Sequence, residues 1–433
     1  MRILGIISEY DPFHNGHKYM LQKLRAELEA DAAVCVMSGE FTQRGMPAYF
    51  DKMTRAEMAV RGGIDLVVEL PYIYACNSGA EFAKGGIGIL KGLGCVTDIG
   101  FGAETDNTEA LIAAAEAEED EDVSASVRRR MREGVSHAEA LTSAFESRYG
   151  KEIAELLRHP NNLLAIEYLR AMRVTDASFM PIAVKRRGAA HGGAILKSKA
   201  TEKKFDRAAV NDGDIINSQT EQVNFFDSIK NFASGSEIRR RLTVSGGSID
   251  SVKELLPDSS FELLGKGFNA AAVNKLYELL VYKCITSTFE ELSNILEINE
   301  GLENRIKKSI SESASFDELI MSIKSKRYTM SRIRRMLMHI LMNIGKSEFN
   351  SLKGTYYARI LAFNSKGAEL IRKANETSEI PIISNLNRIS RYTETVQRCL
   401  AIDGRAVDLY DMLSENGNCS GRDRRIIPIR YFK

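Results

Sequence analysis

The sequence has almost no net charge. Lys and Arg number 59 and Asp and Glu 58 among 433 residues, which gives a formal charge of +1. This balance excludes a uniformly basic nucleic-acid-binding coat, although it leaves room for a local basic face. With 44% hydrophobic and 27% charged residues, the chain has the composition of a folded globular protein, and neither a disordered nor a fibrous chain fits.

Paired cysteines and long apolar runs are also missing. The cysteines are scattered without a CxxC motif, which excludes a disulfide framework or a zinc ribbon and predicts reduced thiols. They are Cys35, Cys76, Cys95, Cys284, Cys399 and Cys419. No run of about 18 apolar residues occurs, and the apolar run at the amino terminus is too short for a signal peptide. We therefore expect a cytoplasmic protein.

Two common phosphate-binding loops are absent as well. The nearest run to the GxGxxG dinucleotide motif, Gly85-Gly86-Ile87-Gly88, has Lys91 where the last glycine is required, and no GK[ST] triplet of a P-loop occurs. A nucleotide would therefore have to bind through another element.

The first half of the chain alternates between strand and helix patterns. Apolar, β-favouring runs at Ile3–Ser8 and residues 32–37, 64–70 and 95–101 are separated by amphipathic stretches. Because strand, helix and strand in this order form a right-handed crossover, the strands should be parallel. The pattern predicts an α/β fold with a doubly wound parallel sheet.

The length predicts at least two domains. Residues 243–250, rich in Ser and Gly, are the best linker candidate, and the segments beyond them are amphipathic at helical period. We therefore predict an α/β catalytic domain at residues 1–245 and a mainly helical domain at residues 246–433.

The sequence His14-Asn15-Gly16-His17 stands where the first strand ends and a helix begins. Ligands of open parallel sheets bind at the carboxyl ends of the strands, so this loop is placed where a substrate would lie. Two imidazoles, a glycine and the amides of a helix start together suit an anion. The pair favours a site for a nucleoside triphosphate whose charge must be stabilised during attack at phosphorus.

Other interpretations of these residues stay open at this point. The two histidines could be half of a metal site, although no nearby Cys, Asp or Glu cluster completes it, or a structural pair satisfied by the backbone. Likewise, an ordinary capped basic helix would explain the run Ser234-Gly235-Ser236-Glu237-Ile238-Arg239. Its serines and arginine are nevertheless suited to donate to phosphate oxygens.

HNGH resembles the HxGH signature of the nucleotidylyltransferase superfamily, and SGSEIR is similar to its ISSTxxR motif. Longer stretches, including GIISEYDPFHNGHKYML, HPNNLLAIEYLRA and RYTMSRIRRMLMHILM, resemble the bacterial tRNA(Met) cytidine acetate ligases over nearly the whole chain. The resemblance implies a ligase that uses ATP and acetate to form acetyl-adenylate, and then acetylates N4 of the wobble cytidine of elongator tRNA(Met). It implies ATP as co-substrate. The chemistry of ATP further predicts magnesium, whereas no ligand cluster in the sequence indicates a protein metal site.

The resemblance also implies which residues act. His14, His17 and Arg239 would be catalytic. The ATP-binding residues would be Ile7, Ser8, Glu9, Tyr10, Asp11, Pro12, Phe13, His14, Asn15, Gly16, His17, Lys18, Tyr19, Met20, Gly102, Asn161, Asn162, Lys185, Arg186, Arg187, Ser234 and Ser236. An ordinary turn glycine at position 102 and a plain helix cap at residues 161 and 162 are the structural alternatives.

The sequence departs from the family pattern at two places. Gly235 replaces a side chain that is usual in the superfamily motif, and His191 lies where we expect an aromatic and an acidic residue, so its role is open. We further expect some of four polar residues after the second strand to contact acetate or the cytidine. These are Gln43, Arg44, Asp51 and Lys52.

Basic residues interleaved with tyrosines in the helical half are candidates for tRNA contacts. They are Lys324, Lys326, Arg327, Arg332, Arg334, Arg335, Arg422, Arg424 and Arg425, with Tyr328, Tyr356 and Tyr357. Two rival functions stay open. One is an adenylyltransferase acting on a phosphorylated small molecule, and the other is a non-catalytic RNA-binding protein built on this scaffold.

Overall fold

The structure of the protein is a computed structural model. It describes residues 1–117, 120–135, 137–187, 196–197, 231–265, 267, 270–325, 327–414 and 421–432. Three residues singled out above, His191, Lys326 and Cys419, lie outside this described part.

Strands and helices alternate along the first half of the chain, and helices dominate the second. The strands are β1 (Ile3–Ser8), β2 (Ala32–Ser38), β3 (Leu66–Leu70), β4 (Asp98–Ala103), β5 (Met180–Lys185), β6 (Leu196–Lys197), β7 (Asn231–Phe232), β8 (Ala358–Asn364), β9 (Ile382–Ile383) and β10 (Ile429–Tyr431).

The helices are α1 (Asn15–Leu28), α2 (Lys52–Arg61), α3 (Tyr72–Ala75), α4 (Gly79–Gly92), α5 (Thr108–Ala117), α6 (Glu121–Arg132), α7 (His137–Tyr149), α8 (Lys151–Leu156), α9 (Pro160–Val174), α10 (Gly235–Val244), α11 (Asp258–Phe261), α12 (Ala270–Thr286), α13 (Phe289–Ser293), α14 (Leu302–Glu312), α15 (Phe316–Ile323), α16 (Met330–Met342), α17 (Lys346–Leu352), α18 (Ser365–Thr377) and α19 (Glu394–Leu413). Short 3-10 helices lie at Ile249–Leu255, Ile389–Arg391 and Arg422–Arg425.

The main sheet has the strand order β10-β8-β3-β2-β1-β4-β5, with β9 paired to β8. Within this order, the neighbouring strands β3, β2, β1, β4 and β5 are all parallel. Because β1 pairs with both β2 and β4, the direction of the crossovers reverses at β1, which leaves a crevice at the carboxyl ends of these strands. The predicted doubly wound sheet is confirmed.

Side chains of β1 alternate between two cores, one on each face of the sheet. Ile3 and Ile7 pack into the first core, and Leu4 and Ile6 pack into the second. Strands covered by helices on both faces are nearly continuous apolar runs, which is why β1 to β3 could be recognised in the sequence.

The second half is mainly helical, as predicted, but it also adds strands to the sheet. β8 pairs antiparallel with β3, and β10 pairs parallel with β8. The short segment 243–250 forms the end of α10 and a turn in which Gly246 and Gly247 have positive φ angles. The boundary at residue 245 stays a prediction.

The state of the cysteines and the apolar character of the helices agree with the sequence. Cysteines 35, 76, 95, 284 and 399 are buried free thiols, as expected for a reduced protein. Among the helices of the described residues, none has the length and apolar character needed to span a membrane.

Candidate active site

A cavity of about 780 Å³ opens at the carboxyl ends of β1, β4 and β5. It is also bounded by the loop after β2 and by the amino-terminal ends of α1, α4 and α10. Most of the residues predicted to bind ATP line it. They are Ile7, Ser8, Glu9, Tyr10, Asp11, His14, Gly16, His17, Tyr19, Met20, Gly102, Asn161, Lys185, Arg186, Arg187, Ser234 and Ser236. Arg239, predicted to be catalytic, lines it as well.

The two histidines begin α1 as a reciprocal cap. Nδ1 of His14 accepts from the amide of Gly16 at 3.0 Å, and Nδ1 of His17 accepts from the amide of His14 at 3.3 Å. The rings are stacked with their centroids 3.7 Å apart. A Cβ atom on Gly16 would stand 2.9 Å from Cε1 of His14, so glycine lets the capping imidazole lie against the first turn of α1.

Both imidazoles are neutral near pH 7. Burial, assisted by Arg186 and Arg239, lowers the pKa of His14 to about 3. Burial and the neighbouring His14 lower the pKa of His17 well below its usual value. Because each Nδ1 accepts a hydrogen bond, the single proton of each neutral ring lies on Nε2. The pair therefore presents neutral rings to an anion rather than full positive charges, and a hydrogen bond from the His17 ring to the Pro12 carbonyl fixes its orientation.

A second helix starts at the same cavity. Ser234 caps α10 by accepting from the amide of Glu237 at 3.2 Å, and Arg239 donates to Oγ of Ser236 at 3.2 Å. Arg44, from the loop after β2, donates to the same Oγ at 2.9 Å. The amino-terminal ends of α1 and α10 thus converge with two guanidinium groups, an arrangement suited to a polyphosphate.

The packing around residue 235 explains why it is a glycine. A Cβ atom at this position would stand 3.0 Å from the carbonyl oxygen of Asp11 and 3.2 Å from Nη1 of Arg239. Arg239 also forms an ion pair with the buried Asp11 carboxylate at 3.3 Å. The missing side chain therefore lets α10 approach the loop after β1.

We expect Gly235→Ser, which restores the side chain usual in the superfamily, to weaken ATP binding about fivefold. The added Cβ would displace Arg239 or the Asp11 carbonyl, and overpacking of this kind costs about 1 kcal/mol or more. Calorimetric titration with ATP measures the effect, with Thr243→Ser at the far end of α10 as control. Tighter binding would show that the added hydroxyl reaches the phosphates.

Opposite α1, a carboxylate orders the start of α9. Glu104, which follows β4, accepts from the side chain of Asn161 and from the amide of Asn162, the latter at 2.9 Å. Oδ1 of Asn162 in turn accepts from the amide of Glu104 at 2.9 Å. Asn161 also accepts from Arg186 at 2.7 Å. Asn161 and Arg186 face the cavity, whereas Asn162 is buried behind them.

Several residues predicted to bind ATP do not line the cavity. They are Pro12, Phe13, Asn15, Lys18 and Asn162. The ring of Phe13 packs against Tyr10 with centroids 4.9 Å apart, and Tyr10 packs against His17 at 4.8 Å. The Asn15 amide donates to the backbone carbonyls of Asn231 and Glu254.

One wall of the cavity has no counterpart among the residues predicted from the sequence. Its residues come from α4, α7 and α9 and the segments beside them, and include Gly79, Phe82, Phe101, Glu104, Leu141, Thr142, Leu157, Leu163, Leu164, Glu167, Tyr168 and Arg170. None of these residues is part of the HNGH or SGSEIR motif, and most of them face the cavity only because the helices pack together.

Of the polar residues after β2, Gln43 and Arg44 line the cavity, but Asp51 and Lys52 do not. Asp51 is the amino-terminal cap of α2. Lys52 is fully buried and binds Glu69 at 2.7 Å and Asp423 at 2.9 Å. Asp51 and Lys52 therefore make structural contacts, and of the four residues Gln43 and Arg44 stay candidates for contacts with acetate or cytidine.

Several candidate tRNA contacts have structural partners. Arg335 forms an ion pair with Glu297 at 2.8 Å and is 10% exposed. Tyr357 is buried and donates to Asp403. Arg422 binds Asp411 at 2.8 Å. Arg424 is exposed on the carboxyl-terminal 3-10 helix.

The fold and the two converging helix starts define a nucleotidyl transferase. The model of the HIGH Nucleotidyl Transferase family matches residues 1–208 and 215–424. The chain therefore belongs to the HIGH Nucleotidyl Transferase family.

Full-length relatives identify the narrower family. The tRNA(Met) cytidine acetate ligase of Thermoanaerobacter sp. strain X514 is 34% identical over 432 residues, with 98% of each chain covered. That of Alkaliphilus metalliredigens is 33% identical over 453 residues. The crystal structure of Thermotoga maritima TmcAL bound with alpha-thio ATP matches with a TM-score of 0.84 and 27% identity over both full chains. The chain belongs to the family of tRNA(Met) cytidine acetate ligases.

Proposed function

We propose that this protein is an ATP-dependent ligase that acetylates N4 of the wobble cytidine of elongator tRNA(Met) in the cytoplasm. The observation that carries the proposal is the convergence of α1, α10, His14, His17 and Arg239 on one cavity, in a chain that matches the acetate ligases over its full length. The catalytic roles of these residues belong to the same proposal.

In the first step, a carboxylate oxygen of acetate attacks the α-phosphorus of ATP. The bond from this phosphorus to the bridging oxygen breaks, and pyrophosphate leaves with the electron pair. The imidazole donors and helix amides stabilise charge on the phosphate oxygens, and Ser236 and Arg239 hold the departing pyrophosphate. Arg44, which donates to Ser236, adds positive charge for the same pyrophosphate.

In the second step, the N4 amine of cytidine attacks the carbonyl carbon of acetyl-adenylate. A carbon–nitrogen bond forms, the bond between this carbon and the phosphate oxygen breaks, and AMP leaves with the electron pair. The amine loses one proton to water. No side chain is needed as a covalent nucleophile, since both steps depend on positioning and on stabilisation of charge.

Magnesium would accompany ATP. Within the part of the chain that the structure describes, no three His, Cys, Asp or Glu side chains form a group able to hold a metal ion. The cationic cradle instead fits an ion held mainly by phosphate oxygens and water, as is common for magnesium. When bound, the ion would neutralise part of the charge on ATP.

The experiment measures pyrophosphate release from ATP with acetate, formate or propionate, each with and without tRNA, followed by analysis of the tRNA for N4-acetylcytidine. We expect release that depends on acetate and acetylated cytidine in tRNA(Met). Release independent of carboxylates would favour a small-molecule adenylyltransferase, and ATP binding without release would favour a non-catalytic RNA-binding scaffold.

A further inference from the structure

The cavity extends beyond the phosphate cradle into a lobe between α4 and α9. We call this the α4–α9 lobe. Its lining residues are Gln43, Gly79, Phe82, Leu164, Glu167 and Tyr168. Phe82 and Tyr168 are buried, so the lobe has aromatic walls and a few polar groups, as small-molecule sites generally do.

The sheet topology separates the two ends of the cavity. Gly102 and Arg186 lie at the ends of β4 and β5, on one side of the crossover at β1. Gln43 and Gly79 follow β2 and β3, on the other side. An adenylate with its phosphates at α1 and its nucleoside toward β4 and β5 would not occupy the α4–α9 lobe. The lobe would then be available to the substrate that accepts the acetyl group.

Two polar side chains meet at the start of α4. A Cβ atom on Gly79 would stand 3.4 Å from Nε2 of Gln43 and 3.7 Å from Cγ of Glu167. The start of α4 therefore lies within van der Waals distance of two side chains that come from different parts of the chain. A planar group held against Gly79 would meet both side chains.

Hydrogen bonds to Glu9 and Arg335 hold the backbone of Gln43. Its amide donates to Oε1 of Glu9 at 2.9 Å, and its carbonyl accepts from Nη1 of Arg335 at 3.4 Å. A Cβ atom on the neighbouring Gly45 would stand 2.3 Å from the backbone nitrogen of Arg335, so the loop lies directly on α16. The helical half of the chain thus positions a residue of the cavity.

The charges of the lobe balance. Glu167 lines it in an ion pair with Arg170 at 3.4 Å, Glu9 stands at its border with the cradle, and Gln43 is neutral. Such a pair attracts an anion less than the arginines of the cradle do, and its carboxylate can still accept a hydrogen bond from an exocyclic amine. The lobe therefore suits a neutral heterocycle that presents an amine beside ring acceptors.

We infer that the α4–α9 lobe receives the cytosine base, with Glu167 accepting from the N4 amine and the Gln43 amide donating to the ring acceptors. This inference rests on the proposed function and adds the residues that select the base. Along its pairing edge, cytosine presents the N4 amine as donor and then N3 and O2 as acceptors. This order complements a carboxylate that lies beside an amide N–H. Uracil presents O4 to the carboxylate instead, so the lobe discriminates against it.

The test compares the wild type with Gln43→Ala and the isosteric Glu167→Gln. Glu116→Gln is the matched control, because Glu116 is an exposed carboxylate paired with Arg173 away from the cavity. Three quantities are measured: acetate-dependent ATP–pyrophosphate exchange without tRNA, kcat/KM for acetyl transfer to tRNA, and competition by anticodon stem-loops carrying C or U at the wobble position.

We expect each lobe variant to lower kcat/KM for transfer by about 10- to 100-fold, and at least tenfold more than it lowers exchange. The preference for the C stem-loop over the U stem-loop should fall at least fivefold in Glu167→Gln. Equal losses in exchange and transfer, or an unchanged preference for C over U, would overturn the inference. Wild-type protein without acetate-dependent exchange would instead refute the proposed function.

Discussion

Replacing His17 by alanine is expected to reduce acetate-dependent pyrophosphate exchange by about 100- to 1,000-fold, the range typical of removing one donor to a developing negative charge. The ring is a half-buried, neutral imidazole at the first turn of α1, and it lines the cavity. The neighbouring amides and His14 would remain, which is why the loss stays within this range. The exchange rate at saturating ATP and acetate measures the effect.

The substitution also removes half of the helix cap, since Nδ1 of His17 accepts from the amide of His14. Loss of a cap costs about 1 kcal/mol of stability, so unfolding must be measured beside activity. Lys23→Ala is a suitable control because Lys23 lies on the same helix, away from the cavity, in an ion pair with Glu27 at 3.4 Å. More than a third of the wild-type exchange rate in a folded His17→Ala protein would contradict the proposed role.

The protonation state can be tested independently. Since the pKa of His14 lies at about 3 and that of His17 well below 6.5, both rings should stay neutral from pH 8 down to pH 5. We expect their ring-proton resonances to stay constant over this interval. A resonance that titrates near pH 6.5 would show an imidazolium at the cradle instead.

Local signals made the amino-terminal half predictable. β1 was placed at its observed bounds because a buried parallel strand is a short apolar run that a turn ends. The start of α10 could be predicted because a serine cap and a following glutamate mark a helix start. The same local sequence carries the phosphate cradle, and so the HNGH and SGSEIR motifs indicated most of it.

Contacts between distant segments were not predictable in this way. β8 was missed because its apolar run stands directly before α18 within a helical half, and only pairing with β3 makes it a strand. Glu167 faces the cavity because α9 packs beside α4, which leaves no spacing signal in the sequence. Lys52 illustrates the same limit, since its position after β2 indicates the crevice while its partners come from β3 and residue 423.

Replacing Lys52 by methionine should lower the free energy of unfolding by about 3 to 5 kcal/mol, the usual cost of removing one partner from a buried ion pair. Its ammonium group is fully buried between the carboxylates of Glu69 and Asp423. Burial opposes ionisation of Asp423, yet Lys52 and Arg359 hold the pKa of this carboxyl at about 2. Without Lys52, Arg359 alone would face two buried carboxylates.

Denaturant unfolding of Lys52→Met measures this cost, and Lys84→Met is the matched control. Lys84 pairs with Glu81 at 3.6 Å but is 39% exposed, so its loss should change stability by less than about 1 kcal/mol. Because Asp423 belongs to the 3-10 helix Arg422–Arg425, cleavage by protease near the carboxyl terminus should also become faster in Lys52→Met. A stable Lys52→Met protein with an altered KM for acetate would instead place this lysine at the substrate.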